Sequence, residues 1–155
     1  TIEMAPPRTY RCEALTLKNS PLGESDLLVT LYSKEHGKLR AVAKGARKSV
    51  SKLVGHLEPL TVVRLSMAQG RSLDIITQAQ VLDSFLPLKS VLPSIAKGLY
   101  VAELTDGFGS EANPNQELYR LAVDVRHVLS NDEGQDIPLR YFELHLLRAT
   151  GLLPE

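Results

Sequence analysis

The spacing of apolar residues changes once along the chain, and that change limits the folds open to it. Up to Phe85 the apolar positions recur every second residue; beyond Pro93 they recur every third or fourth. Alternation with a period of two places side chains on the opposite faces of a strand, and a period near 3.6 places them on one face of a helix. The chain therefore reads as a β module followed by an α module.

Five segments carry the strand pattern: Tyr10–Lys18, Asp26–Lys34, Lys38–Lys44, Pro59–Met67 and Leu73–Leu82. The third alternates most cleanly, with Leu39, Ala41 and Ala43 on one face and Lys38, Arg40, Val42 and Lys44 on the other. In the fourth, Val63, Leu65 and Met67 are expected to point inward; in the fifth, Leu73, Ile75, Ala79 and Val81. Turn-forming residues fill Asn19–Ser25, and Gly37 in the Glu35–Lys38 connection is suited to positive φ. Gly45–Glu58 breaks the pattern and is expected to hold a short helix around Val50–Val54. Five short strands with a helical insertion between the third and fourth is the pattern of an OB-type barrel.

Pro87 and Pro93 punctuate the crossing to the second module. Ser94–Phe108 is expected to be a helix with Ile95, Leu99, Ala102 and Thr105 on one stripe, and broad enough in apolar character to be buried on several sides. A second helix is expected over Asn113–Ser130, with Asn113 as N-cap, Pro114 at the first helical position, and Leu118, Leu121, Val125, Val128 and Leu129 buried. The third spans Asp136–Gly151, opened by Asp136 or Ile137 ahead of Pro138 and closed by Gly151. The expected architecture is thus β then α: a five-stranded OB-type barrel over residues 1–85, then a small all-α helical domain over 86–155.

Charge divides the same way. The whole chain sums to zero, yet residues 1–85 hold 12 basic and 8 acidic side chains, a net of +4, and residues 86–155 hold 6 and 10, a net of −4. Halves of opposite sign suggest modules with different partners. Within the first half, Lys34–Lys52 holds seven basic residues against Glu35 alone.

Chemistry at a covalent or metal centre finds little support. The chain has no G-x-S-x-G, no P-loop and no G-x-G-x-x-G. His36, His56, His127 and His145 fall in different elements, Cys12 is the single cysteine, and the acidic pairs Glu24/Asp26 and Asp132/Glu133 sit in loops. No ligand set at zinc-finger spacing results. The N-terminus lacks the layout of a signal peptide, no apolar run reaches the ~18 residues that cross a bilayer, and a single thiol agrees with a reducing, intracellular compartment.

The basic segment remains. Lys38, Arg40 and Lys44 leave the same strand face, at about 7 Å per two-residue step, close to the phosphate spacing of an extended single strand. Arg47, Lys48 and Lys52 add charge beside them, Gly45 lets the backbone leave the strand sharply, and Arg64 and Arg71 are secondary candidates. Trp is absent, and Tyr10, Tyr32 and Phe85 are the only aromatics of the first half. Binding dominated by phosphates is therefore expected, weakly sequence-specific and strongly salt-dependent. Two other readings stand beside it. One is a protein-interaction scaffold whose charge serves solubility; the other is an enzyme on nucleic acid, which would need clustered carboxylates to hold a metal.

"GESDLLVTLYSKEHGKLRAVAKGARK", "LEPLTVVRLSMAQGRSLDIITQAQVLDSF" and "FELHLLRATGLLP" extend the argument. Across nearly the whole chain from about Arg8, these stretches resemble the RecO recombination-repair family. The resemblance implies an N-terminal OB fold and a helical domain. It implies binding to single- and double-stranded DNA, strand annealing, and loading of the RecA recombinase together with RecR during the repair of DNA damage. Contact with the acidic tail of single-strand-binding protein would fall to the helical domain, of which this chain holds a part. No active site is implied, so the chain is not expected to be an enzyme. Zinc-binding cysteines, where relatives carry them, follow the "GLLP" region, so no cofactor is expected in residues 1–155. The implied location is the bacterial cytoplasm, at the nucleoid and away from membranes.

Overall fold

The computed structural model of the chain describes residues 8–48, 51–85, 92–129 and 136–152. Val50, Pro87, the Asp132/Glu133 pair, Leu153 and Pro154, all invoked above, lie outside these residues. Among these residues five strands and four helices follow in order: β1 Thr9–Leu22, β2 Asp26–Ser33, β3 Gly37–Ala43, α1 Leu53–His56, β4 Val62–Ala68, β5 Asp74–Asp83, α2 Leu92–Phe108, α3 Gln116–Leu129 and α4 Ile137–Ala149. The strands close into a barrel in the order β1-β2-β3-β5-β4, with β3 and β5 parallel and the other pairs antiparallel. Barrel then helices is the expected order, and α1 fills the expected insertion between β3 and β4.

The barrel interior is assembled from alternate residues. Ala14, Val29, Leu31, Ala41, Ala43, Val63, Leu65 and Met67 are fully buried in it, with Cys12, Leu27 and Ile76. Small side chains on β1 and β3 let so few strands close. Leu57, just past α1, is also fully buried in this cluster, with Leu53 packed against it, so the short helix stoppers the barrel. Burial, with help from the charges of Glu35 and Asp74, pushes the Cys12 thiol up to about 12, which makes it a packing residue at neutral pH.

β1 serves two sheets' worth of pairing. Its first half runs beside β4 and its second half beside β2, with a register shift between Thr16 and Lys18 where it bends. It continues through Ser20 and Pro21, which pair with Leu28 and Leu27, so the turn shrinks to Gly23–Ser25. Cross-strand pairing overrides the turn propensity of Asn19–Pro21. β4 and β5 shift register twice, and the shift between Ser66 and Met67 brings Ile76 of β5 inside where Ile75 and Leu73 were expected. A bulge adds one residue and reverses which face the following positions occupy.

The helices form a second core against the barrel's outer wall. Leu15 and Leu17 of β1, Tyr32 of β2, and Leu60, Val62 and Phe85 pack with Val101, Ala102, Leu118, Tyr119, Ala122, Val125, Leu129, Leu139, Phe142 and Leu146. Three details differ from the sequence expectation. On α2 the buried stripe is Ser94, Gly98, Val101, Ala102 and Thr105, while Leu99 is 45% exposed. Small residues win that face because they let helices approach, and the Ser94 hydroxyl donates to the Leu129 carbonyl at 3.3 Å. On α3, Asn115 is the cap: its Oδ1 accepts from the Leu118 N–H at 3.0 Å and its Nδ2 donates to the Ala149 carbonyl at 3.0 Å. Asn113 and Pro114 therefore precede the helix, and Val128 is 51% exposed while Tyr119, Ala122 and Arg126 are buried. α4 ends as expected, with Gly151 at φ +76° and the Leu152 N–H returning to the Leu147 carbonyl at 2.8 Å.

Candidate nucleic-acid interface

The cations of the basic segment fall into two groups. The first occupies the barrel rim where β3 ends. Lys44 follows β3 directly, and Gly45, at φ +66°, turns the chain away. The Gly45 N–H donates to Asp26 Oδ1 at 2.7 Å. Arg47 reaches back to the β1–β2 turn, where Nε donates to the Asp26 carbonyl at 2.9 Å and Nη2 to the Gly23 carbonyl at 2.5 Å. The Arg47 N–H donates to the Ser25 carbonyl at 2.9 Å. A carbonyl accepts a hydrogen bond without cancelling charge, so Arg47 fixes the rim and stays cationic. Lys48 is the next residue, its N–H donating to the Gly45 carbonyl at 3.1 Å, and Lys52 stands at the start of α1. Lys44, Arg47, Lys48 and Lys52 are all exposed and form no ion pair among the described residues.

The second group lies on the barrel wall and is not free. Lys38, on β3, is 19% exposed; its Nζ lies 3.3 Å from Asp106 Oδ1 near the end of α2 and donates to the Asp106 carbonyl at 2.9 Å. Lys18 of β1 joins the same carboxylate at 3.0 Å. Burial pushes the Asp106 carboxyl up, but hydrogen bonds and charge from Lys18 and Lys38 outweigh it and hold it below the ordinary carboxylate range. Arg40 Nη2 pairs with Glu111 Oε1 at 3.0 Å, both side chains being more than half exposed. These contacts arise because residues 109–115, between α2 and α3, run alongside β3: the Lys38 N–H donates to the Ser110 carbonyl at 3.0 Å. Gly37 permits the approach. It sits at φ +73°, and a Cβ there would stand 2.6 Å from the Asn113 carbonyl oxygen.

The expected line of three cations along one strand is thus interrupted. Lys38 and Arg40 share their face with Lys18 and with two carboxylates of the helical module, and Lys44 lies past the strand's end. Arg64 and Arg71 are exposed but belong elsewhere. Arg64 projects from β4, separated from β3 by β5. Arg71 is in the β4–β5 turn beside the start of β1, whereas Arg47 clamps the turn after its far end. Sequence reasoning missed Lys18, Asp106 and Glu111; the opposite charges of the two halves were the signal that pointed to them.

The aromatics are occupied. Tyr32 and Phe85 are core residues, at 1% and 5% exposure. Tyr10 donates a short hydrogen bond to Asp74 and stands edge-on to His36. What the rim offers an anion is cationic charge without a stacking surface. Among the described residues no three His, Cys, Asp or Glu side chains gather as a metal site, and no helix is long and apolar enough to cross a membrane.

The family model for the recombination protein O N terminus matches residues 4–85, and that for its C terminus matches residues 90–155. The chain is similar to the DNA repair protein RecO of Roseiflexus sp. (strain RS-1), with 40% identity over 148 residues, 96% of this chain and 52% of the relative. It is similar to the DNA repair protein RecO of Dehalococcoides mccartyi strain BAV1, with 34% identity over 152 residues, 98% of this chain and 60% of the relative. The protein of that name from Nostoc punctiforme is 39% identical over 153 residues, 96% of this chain and 51% of the relative. The chain therefore spans between about half and three fifths of the length of these curated relatives.

Proposed function

The chain belongs to the RecO family of DNA repair proteins, and from that premise we propose that it acts in DNA repair as a non-catalytic, DNA-binding recombination mediator. In this reading it holds single- and double-stranded DNA through phosphate contacts, brings complementary strands together, and assists RecA loading with RecR. RecR and the tail of single-strand-binding protein are its proposed protein partners, and the cytoplasm, at the nucleoid, its proposed location.

One observation carries the reading. Lys44, Arg47, Lys48 and Lys52 keep un-neutralised charge at one rim of an OB-type barrel, on a chain whose formal charge is zero. A free cationic cluster concentrated at one place is what phosphate binding requires, and each contact releases condensed counterions. Residues that stack bases are missing from it, which favours binding that tolerates any sequence.

Lys44→Glu with Lys48→Glu tests this. A salt titration of binding to labelled oligonucleotides of unrelated sequence is expected to show weaker binding to all of them alike, and a slope shallower by about 1.4 on single strands, from ~0.7 per phosphate contact. Unchanged affinity at low salt would remove the rim from the binding surface. A chain that binds partner proteins yet shows no salt-dependent affinity for DNA would support the scaffold reading instead.

A further inference from the structure

We propose that the wall groove at Lys18, Lys38 and Arg40 is a second phosphate-binding subsite for a nucleic-acid strand, and that Asp106 and Glu111 occupy it as intramolecular stand-ins for phosphate. The proposal rests on the rim reading above and extends it along the barrel.

The groove is open, about 310 Å³, and lined by Lys18, Ser20, Thr30, Lys38, Arg40 and Asp106. Its chemistry is that of an anion site: ammonium groups, a guanidinium and hydroxyl-bearing residues around one carboxylate. Two ammonium groups converge on Asp106, at 3.0 and 3.3 Å. A carboxylate and a phosphodiester are both anions that accept charge-assisted hydrogen bonds, so the same donors serve either. The cations come from the barrel and the carboxylates from the helical module. Three cations face two carboxylates, so the wall keeps an excess of positive charge even when closed.

The wall also adjoins the rim. Thr30 pairs with Arg40, Leu28 with Val42 and Leu27 with Ala43, the residue before Lys44. Arg40 lies on the ladder and Lys44 just past its end, four residues on, about 13 Å for extended chain, or two phosphate steps on an extended strand. A strand seated at Lys44 brings its next phosphates to the positions that Glu111 and Asp106 now hold. Displacing them exchanges one anion for another at the same donors. Arg40–Glu111 opens first, since both side chains are more than half exposed and such pairs hold weakly. Lys38–Asp106 follows against greater resistance.

The experiment is a salt titration of binding to a labelled single-stranded oligonucleotide by wild type, by Asp106→Asn with Glu111→Gln, and by that double variant carrying Lys18→Gln as well. The double variant is expected to bind more tightly, with a slope steeper by about 1.4–2.1 for two or three freed cations, or about five-fold in affinity per cation at 0.1 M salt. Lys18→Gln is expected to take back one cation's share in the double variant and to change little in the wild-type background. Glu117→Gln with Asp124→Asn on α3 makes the same change in net charge away from the groove; an equal gain there would overturn the proposal. Glu111→Gln alone breaks only an exposed pair, so its expected one-cation gain is readable even if Asp106→Asn impairs folding. Unchanged or weaker binding by folded Glu111→Gln and double variants would overturn the proposal while leaving the rim reading to the Lys44/Lys48 variant. Absence of salt-dependent binding in every form would overturn both.

Discussion

Asp106 shows how one side chain can be costly alone and useful in context. It is 23% exposed and faces two ammonium groups, and their hydrogen bonds and charge, working against burial, hold its carboxyl below the ordinary value of 3.8. A carboxyl group depressed in the folded state stabilises the fold above its unfolded pKa and loses that contribution as pH falls through the folded value. Wild type is therefore expected to lose stability to acid below about pH 4 more steeply than Asp106→Asn, with the curves converging at lower pH. Urea denaturation followed across pH 5 to 2 checks this. Parallel curves would mean that the two lysines do not distinguish the ionised from the neutral carboxyl. Gly37 shows the complementary case, where the useful property is a missing atom: positive φ and a carbonyl 2.6 Å from the absent Cβ leave room for no other residue without movement.

The elements illustrate which local signals survive packing. The alternation of β3 and β4 was fully legible, because inward Ala41, Ala43, Val63, Leu65 and Met67 alternate with polar or wall-facing neighbours over the whole strand. β5 was not, because the pattern breaks at a bulge whose position depends on its pairing with β4. α2 was legible in part: Ala102 and Thr105 are buried as expected, but hydrophobicity pointed to Leu99, where the small residues Ser94 and Gly98 hold the buried face instead. For α3 the sequence pattern marks Asn113 as the cap, whereas Asn115 caps the helix in the fold and also reaches Ala149 of α4. Asn115→Ala is expected to cost about 1–2 kcal/mol, or roughly 3–6 °C in Tm, measured by thermal unfolding. Asn113→Ala serves as the comparison and is expected to cost less than half as much.

Over the whole molecule, the two modules meet through polar groups as well as through the second core. Arg126, fully buried, donates from Nη1 to the Leu60 carbonyl at 2.6 Å and from Nη2 to Asp83 at 3.3 Å, with its guanidinium 4.5 Å above the Phe85 ring. Tyr119 of α3 donates to Glu13 of β1 at 2.7 Å. Arg126→Ala leaves a cavity, an unpartnered buried carbonyl and a weakened Asp83. The expected loss is about 3–5 kcal/mol, against less than about 1 kcal/mol for Arg40→Ala at the exposed pair, both from urea denaturation. Comparable losses would mean that burial does not separate the two arginines. The opposite charges of the halves, read from sequence as a sign of different external partners, are in part complementary to each other: Lys18, Lys38 and Arg40 on one side, Asp106 and Glu111 on the other.

By itself the sequence determined that strands give way to helices, which residues of β3 and β4 line the barrel, and that positive charge gathers after β3. These are properties of local order, set by the two-residue and 3.6-residue repeats and by composition. Tertiary structure alone decided which cations remain free. Lys38 and Arg40 are matched to carboxylates about seventy positions away, while Lys44, Arg47, Lys48 and Lys52 are left exposed at the rim. The physical reason is that charge neutralisation acts over a few ångströms of space, and separation along the chain carries no record of that distance.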